Sequence, residues 1–230
     1  QMAYMPRQLP VLEGFDFGAQ ILPARAVGGD FYDFILLEED RLGIVVADVS
    51  DKGVPAAIMM ALTRSILRAE VNETTSPGDT LRAVNEHLLE MNESGMFVTF
   101  LYGVLDRRSG MFSYARAGHE FPLLIGPEGE AISLPRQQGQ PVGILPDPRM
   151  DEQTITLCPG SLLLIFTDGL PDAMNSQGEF FGLQQLHQSV NLDPLASAQQ
   201  VCDQVIKTIQ AFQGSNAQFD DMTLVVVRAR

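Results

Sequence analysis

Little in this chain suits soft metals, oxidative cross-linking or polyanions. It has two cysteines and three histidines in 230 residues. Cys158 and Cys202 lie far apart, with no metal-ligand spacing around them. That excludes a zinc pattern and a disulfide framework, and reads as free, reduced thiols in a cytosolic protein. Basic residues number 15 against 29 acidic ones, for a formal net charge of -14. A surface of that sign repels nucleic acid and anionic membrane, and otherwise serves solubility. No apolar run approaches the roughly 18 residues of a membrane span. The opening Gln1-Met2-Ala3-Tyr4 lacks the basic-then-apolar pattern of a secretory signal. The chain does not begin with Met, which suits a piece cut from something longer. Internal repeats and low-complexity tracts are absent.

What the chain does have is acids at the ends of apolar runs. Leu42-Gly43-Ile44-Val45-Val46-Ala47 reads as a strand buried on both faces and ends in Asp48. Ser161 to Thr167 ends in Asp168-Gly169, and Asp220-Asp221-Met222-Thr223 opens the run Leu224 to Val227. A further pair lies in Gly28-Gly29-Asp30-Phe31-Tyr32-Asp33. Taken singly, each has a plain explanation, since Asp-Gly after a strand is a common turn. Taken together, carboxylates gathered at one edge of a β-structure repel one another and call for a cation or for protonation.

Residues 1–12 read as a Pro-punctuated lead-in and 13–230 as a single domain. Strands are expected over Phe15–Ala24, Phe97–Asp106, Gly110–Arg116, Phe121–Ile125, Gln153–Leu157, Ser161–Thr167 and Met222–Arg228. A hairpin is expected from Asp30–Leu37 and Arg41–Val49 around Glu38-Glu39-Asp40. Pro55 suits the first turn of a helix whose inward stripe is Ile58, Ala61, Leu62, Ser65 and Ile66. Ser76 and Asp79 open a second helix, with a stripe of Leu81, Val84, Leu88 and Met91, ended by Gly95. Arg136–Pro148 reads as a long loop and Leu183–Val190 as a short helix. A last helix is predicted to open at Asp193-Pro194, bury Ala198, Val201, Val205, Ile209 and Phe212, and stop at Gly214. Strands in blocks with paired helices between them make an α+β chain of two antiparallel sheets packed face to face, helices outside.

Hard divalent cations prefer carboxylate, carbonyl and water oxygens. Two of them sharing a carboxylate can activate a water for attack on a phosphoryl group. Four motifs in order, Gly28-Gly29-Asp30-Phe31-Tyr32-Asp33, Asp48-Val49-Ser50-Asp51-Lys52-Gly53, Thr167-Asp168-Gly169 and Asp220-Asp221-Met222-Thr223, resemble the metal-dependent serine/threonine protein phosphatases of type 2C (PPM). They are most similar to the bacterial SpoIIE/RsbU-type branch. Ala117-Gly118-His119 before Pro122-Leu123-Leu124, and Gly139-Gln140-Pro141-Val142-Gly143-Ile144, also look like that branch. The likeness runs from about Phe15 to Val227.

The resemblance implies an α-β-β-α sandwich with a centre of two Mn²⁺ or Mg²⁺ ions at one end. Asp48 matches the acid that bridges both ions, and Val49 the residue lending a backbone carbonyl. Asp30 matches a ligand of one ion, and Asp168 and Asp220 ligands of the other. Asp221 matches a position behind the ligands. Asp33 either supports them or is structural. Position 51 is often Gly in such motifs, so Asp51 adds a charge the pattern does not ask for. Arg25 either contacts phosphate or is a solvated strand-end residue. His119 reads as a turn residue in preference to a proton donor.

The activity implied is direct hydrolysis of phosphoserine or phosphothreonine by metal-bound hydroxide, with Asp48 and Asp168 central to catalysis. The branch implies a STAS-type anti-sigma-factor antagonist as substrate, a cytoplasmic partner-switching circuit, and an N-terminal sensor or receiver domain. One rival is a catalytically silent binding module of the same fold. A two-metal nuclease is the other, and the acidic charge opposes it.

Overall fold

The structure, a computed structural model, describes residues 5–6, 8–38, 40–72, 75–91 and 95–230. Its apolar runs become strands because both faces of each find cover. In β9 (Leu162–Phe166) and β10 (Met222–Ala229) every residue is buried. Leu163, Ile165, Val225 and Val227 join the core between two sheets. Their neighbours Leu162, Leu164, Leu224 and Val226 join a second core under a helix. Such alternation is the period of two expected for a strand covered on both sides.

One sheet runs β1-β10-β9-β6-β7, where β1 is Phe15–Leu22, β6 Leu123–Ile125 and β7 Ala131–Ile132. The other runs β2-β3-β4-β5-β8, where β2 is Phe31–Leu36, β3 Arg41–Val49, β4 Val98–Asp106, β5 Met111–Ala117 and β8 Asp151–Thr156. Each ladder is antiparallel. Helices α1 (Val54–Glu70) and α2 (Pro77–Met91) pack on the second sheet, and α4 (Ala198–Gln213) packs on β1 and β10. The short α3 (Gly182–Gln188) adds Leu186 to the core under α4. The fold is thus α+β, an α-β-β-α sandwich of two antiparallel sheets.

Several expectations need correcting. Helix α1 buries Ala56, Met59, Met60, Thr63 and Leu67, whereas Ile58 and Leu62 of the predicted stripe are exposed. The reason is Asp33 on β2, wholly buried, whose carboxylate takes Arg68 Nε at 2.6 Å, Arg68 Nη2 at 2.8 Å and Arg64 Nη2 at 2.9 Å. This ion pair turns the arginine side of α1 towards the sheet. Helix α2 begins as expected, with Ser76 Oγ accepting from Asp79 N at 3.1 Å, but its Met91 is exposed. Helix α4 opens later than Asp193-Pro194. Ser197 caps it, in a reciprocal box with Gln200, while Asp193 Oδ1 accepts from Leu195 N in a preceding turn. The two-residue β7 lies in a stretch for which no strand is predicted.

Within the expected lead-in, Met5 and Leu12 are buried in the main core, and residues 1–4 and 7 lie outside the described residues. Glu39 of the predicted hairpin turn, and residues 92–94 before Gly95, also lie outside them. Among the described residues, no helix is long and apolar enough to cross a membrane.

Candidate metal centre

The antiparallel registers carry the acids to one end of the sandwich. Asp48 is the last residue but one of β3, opposite Thr99 of β4, and Asp30 immediately precedes β2, which pairs with β3 from Phe31↔Ala47. In the other sheet Asp168 follows β9 and Asp220-Asp221 precede β10, so β9 leaves where β10 arrives. The structure therefore gathers Asp30, Asp168, Asp220 and Asp221 around Asp48, each within its electrostatic reach. Val49 ends β3 beside this cluster and is buried.

Burial and mutual repulsion shape the protonation of the cluster. Asp48 is pushed up to about 7, first by burial and then by the charges of Asp168, Asp220 and Asp221, with a hydrogen bond to Asp30 opposing the rise. Asp168 rises to about 6 through burial and then through Asp220, Asp172 and Glu120. Asp30 is raised well above the usual carboxylate range, chiefly by burial and by Asp48. Glu120 is also raised, by burial and then by Asp172. Burial leads each of these rises, and the crowding of like charges adds to it.

Two threonines that the sequence reading passed over hold Asp30. Its Oδ2 accepts from Thr167 Oγ1 at 2.8 Å and from Thr223 Oγ1 at 2.6 Å. Thr223 also gives its N–H to Thr167 Oγ1 at 2.9 Å, so the ends of β9 and β10 are stitched to the turn before β2. The available signal was a lone hydroxyl beside each acid at the end of an apolar run; a buried hydroxyl needs a partner.

Asp221 does a different job. Its Oδ1 accepts from Ala24 N at 2.8 Å and its Oδ2 from Gly29 N at 2.8 Å, with Asp30 N at 3.5 Å. The carboxylate fastens the loop between β1 and β2 to the start of β10. A Cβ at Gly28 would collide with that carboxylate, and one at Gly169 with the Asp221 carbonyl, so both positions require glycine.

Other residues lie apart. Asp33 points to Arg64 and Arg68 of α1. Arg25 is exposed in the loop after β1. Asp51 is exposed with φ 70°. His119 is buried, with Nδ1 2.8 Å from Thr99 Oγ1, and burial plus the nearby Arg116 lower its pKa to about 3. It is neutral, a packed turn residue. Arg116, which drew no attention in the sequence, is buried and braces this turn. It donates to the carbonyl of His119, to Gln137 O at 2.6 Å and to Asp151 Oδ2 at 3.1 Å, and lies 3.6 Å over the Phe121 ring.

In kind, the donors fit a hard divalent cation: several carboxylates and a backbone carbonyl, without thiolate or imidazole. Their present directions are another matter. Asp30 faces the two threonines and Asp48, and Asp220 Oδ2 faces Lys52 Nζ at 2.9 Å. Among the described residues, no three acidic, histidine or cysteine side chains converge on one point closely enough to form a finished cation cage.

The sandwich and the acidic end define a type 2C protein phosphatase domain. Residues 38–230 match the family model of stage II sporulation protein E, and the chain belongs to that SpoIIE family. It is 33% identical over 255 aligned residues to Protein IcfG of Synechocystis, covering 99% of this chain and 40% of that protein. It is 25% identical to phosphoserine phosphatase RsbU of Bacillus subtilis, over 100% of this chain and 68% of that protein. Among solved structures, the RsbU and RsbW domains of Rv1364c from Mycobacterium tuberculosis superpose with a TM-score of 0.79 at 28% identity, covering 96% of this chain and 61% of that one. The chain spans less than half the length of IcfG.

Proposed function

We propose that this domain is a Mn²⁺- or Mg²⁺-dependent protein serine/threonine phosphatase. The observation that carries the reading is the meeting of Asp30, Asp48, Asp168 and Asp220, from four separated segments, at one end of the sandwich, where burial and neighbouring acids raise Asp30, Asp48 and Asp168. In this reading Asp48 would hold both ions, with the Val49 carbonyl beside it; Asp30 would hold one of them, and Asp168 and Asp220 the other. Two such ions, when bound, supply an activated water and neutralise charge on the phosphoryl group.

The remaining chemistry belongs to the chain. Thr167 and Thr223 orient Asp30 by two hydrogen bonds. Asp221 keeps the loop that carries Asp30 against β10. Ionisation of Asp48 and Asp168 creates the charge that draws the cations in, and their release of protons accompanies loading.

The substrate in this reading is a phosphorylated STAS-type anti-sigma-factor antagonist within a cytoplasmic partner-switching circuit. Its support is the likeness to phosphoserine phosphatase RsbU along the whole of this chain. In this reading the domain works in a longer protein beside a sensor or receiver domain; that the chain spans 40% of IcfG accords with the longer protein. Phosphate release from a phosphoserine-bearing STAS protein, with Mn²⁺ and with EDTA, tests the proposal. Release only with the metal is expected. No release under either condition, from several phosphoproteins, leaves a binding module of the same fold.

A further inference from the structure

The chain has only two lysines, Lys52 and Lys207. One of them lies on the acidic cluster. Lys52 sits in the turn between β3 and α1, four residues beyond Asp48. The residues on both sides of it are left-handed, Asp51 at φ 70° and Gly53 at φ 88°. That conformation is sparsely populated for a residue other than glycine, so the turn commits backbone strain to one direction of exit. The Lys52 side chain crosses to the segment before β10. There Nζ reaches Asp220 Oδ2 at 2.9 Å and the Phe219 carbonyl at 2.7 Å, and lies 4.3 Å from the centre of the Phe219 ring.

Asp220 is thereby engaged at both oxygens, since its Oδ1 accepts from Asp221 N at 2.9 Å. With the ammonium at Oδ2, a divalent ion meets there a carboxylate that already faces a cation, whose charge opposes its approach. We infer that Lys52 is a built-in counter-cation that competes with the divalent ion for Asp220, so that loading of the site includes transfer of Oδ2 from the ammonium to the metal. The inference rests on the metal-centre reading above. It accounts for why the acids meet without forming a finished cage: one of them is turned towards an ammonium.

The strength of the contact suits a competitor that yields. The two side chains are 26% and 33% exposed, so water screens the pair. Pairs of this kind are weak, and removing the lysine would tighten Mn²⁺ by roughly 3- to 10-fold. The ring and carbonyl of Phe219 supply the ammonium with partners that hold no net charge, so it can swing off Asp220 and remain seated.

The test combines melting curves and calorimetry on the whole chain. In EDTA, Lys52→Met is expected to lower the melting temperature of the wild type, and to lower it less in an Asp220→Asn background, where only the contacts with Phe219 are left to lose. By titration calorimetry, Lys52→Met is expected to bind Mn²⁺ several-fold more tightly than the wild type, and Lys52→Arg with wild-type affinity. An equal effect of Lys52→Met in both backgrounds overturns the direct pairing, because a lysine acting through its field alone does not need Asp220. Unchanged Mn²⁺ affinity in Lys52→Met overturns the competition. Absence of Mn²⁺ binding by wild type overturns the metal-centre reading and the competition with it.

Discussion

Replacing Asp33 separates architecture from chemistry. Its carboxylate is fully buried and takes four bonds: three from Arg64 and Arg68, and one from Phe34 N at 2.9 Å. Removing one member of a buried pair typically costs about 3–5 kcal/mol, because the other charge is left without compensation. Here the Arg68 side chain is 44% exposed and can rehydrate, whereas Arg64 at 16% cannot do so fully. The expected loss for Asp33→Ala is therefore smaller, about 2–4 kcal/mol. For a domain of this size each kcal/mol moves the midpoint by roughly 2–4 °C, so melting falls by roughly 4–16 °C. Asn keeps the shape and one acceptor, and is expected to fall between Ala and wild type. The assay is thermal unfolding followed by circular dichroism, with and without saturating Mn²⁺. Because Asp33 faces α1 and not the acidic end, the rise caused by Mn²⁺ is expected to match that of wild type. A variant with unchanged melting in EDTA but no response to Mn²⁺ would refute this reasoning, and would move Asp33 to the support of the metal.

Four further outcomes are expected. Asp48→Ala abolishes hydrolysis and weakens both ions, read by phosphate release and calorimetry; turnover near the wild-type rate removes Asp48 from the bridging position. Asp168→Asn keeps the fold by circular dichroism and loses most of the rate, since Asn preserves shape and removes charge; equal phosphate release from the two proteins removes Asp168 from the site. Asp48 and Asp168, raised to about 7 and about 6, bind protons more tightly folded than unfolded, so their contribution to metal-free stability is full below about pH 4 and is lost as pH rises through 6 to 7. Melting in EDTA therefore falls between about pH 5 and pH 8, and added Mn²⁺ restores it at the upper end; a midpoint that climbs over that range without metal contradicts the cluster. Asp221→Ala strips acceptors from Ala24 and Gly29, costing about 1–3 kcal/mol per N–H left buried, and is checked by urea unfolding together with Mn²⁺ affinity.

The strands were legible because burial on both faces leaves a continuous apolar run, and the acids were legible because charge stops those runs abruptly. What escaped had physical causes. Helix α1 is apolar on nearly every side, so two stripes competed, and the one that won is chosen by Arg64 and Arg68 reaching inward to Asp33. A cationic residue next to a buried face misleads any reading that sends charge to solvent. At α4, Asp193-Pro194 and Ser197 with Gln200 are both sound openings, and the reciprocal bonds of the second prevail. Thr167, Thr223 and Arg116 act through partners 137, 193 and 35 residues away for Asp30 and Asp151, a relation that no local pattern encodes.

The placement of β10 bears on how the domain comes into being. It is the last strand in sequence, yet it lies inside its sheet, hydrogen-bonded to β1 on one side and β9 on the other. As the chain leaves the ribosome, β1 and β9 wait with open edges until residues 222–229 arrive to fill the gap between them. Closure on that scale of sequence separation is slow, and an unfilled slot of this kind is a template for a strand from another copy. Asp220 and Asp221 travel with the same segment, so the acidic end cannot assemble on a nascent or truncated chain. Completion of the acidic end would thus be withheld until β10 has been made.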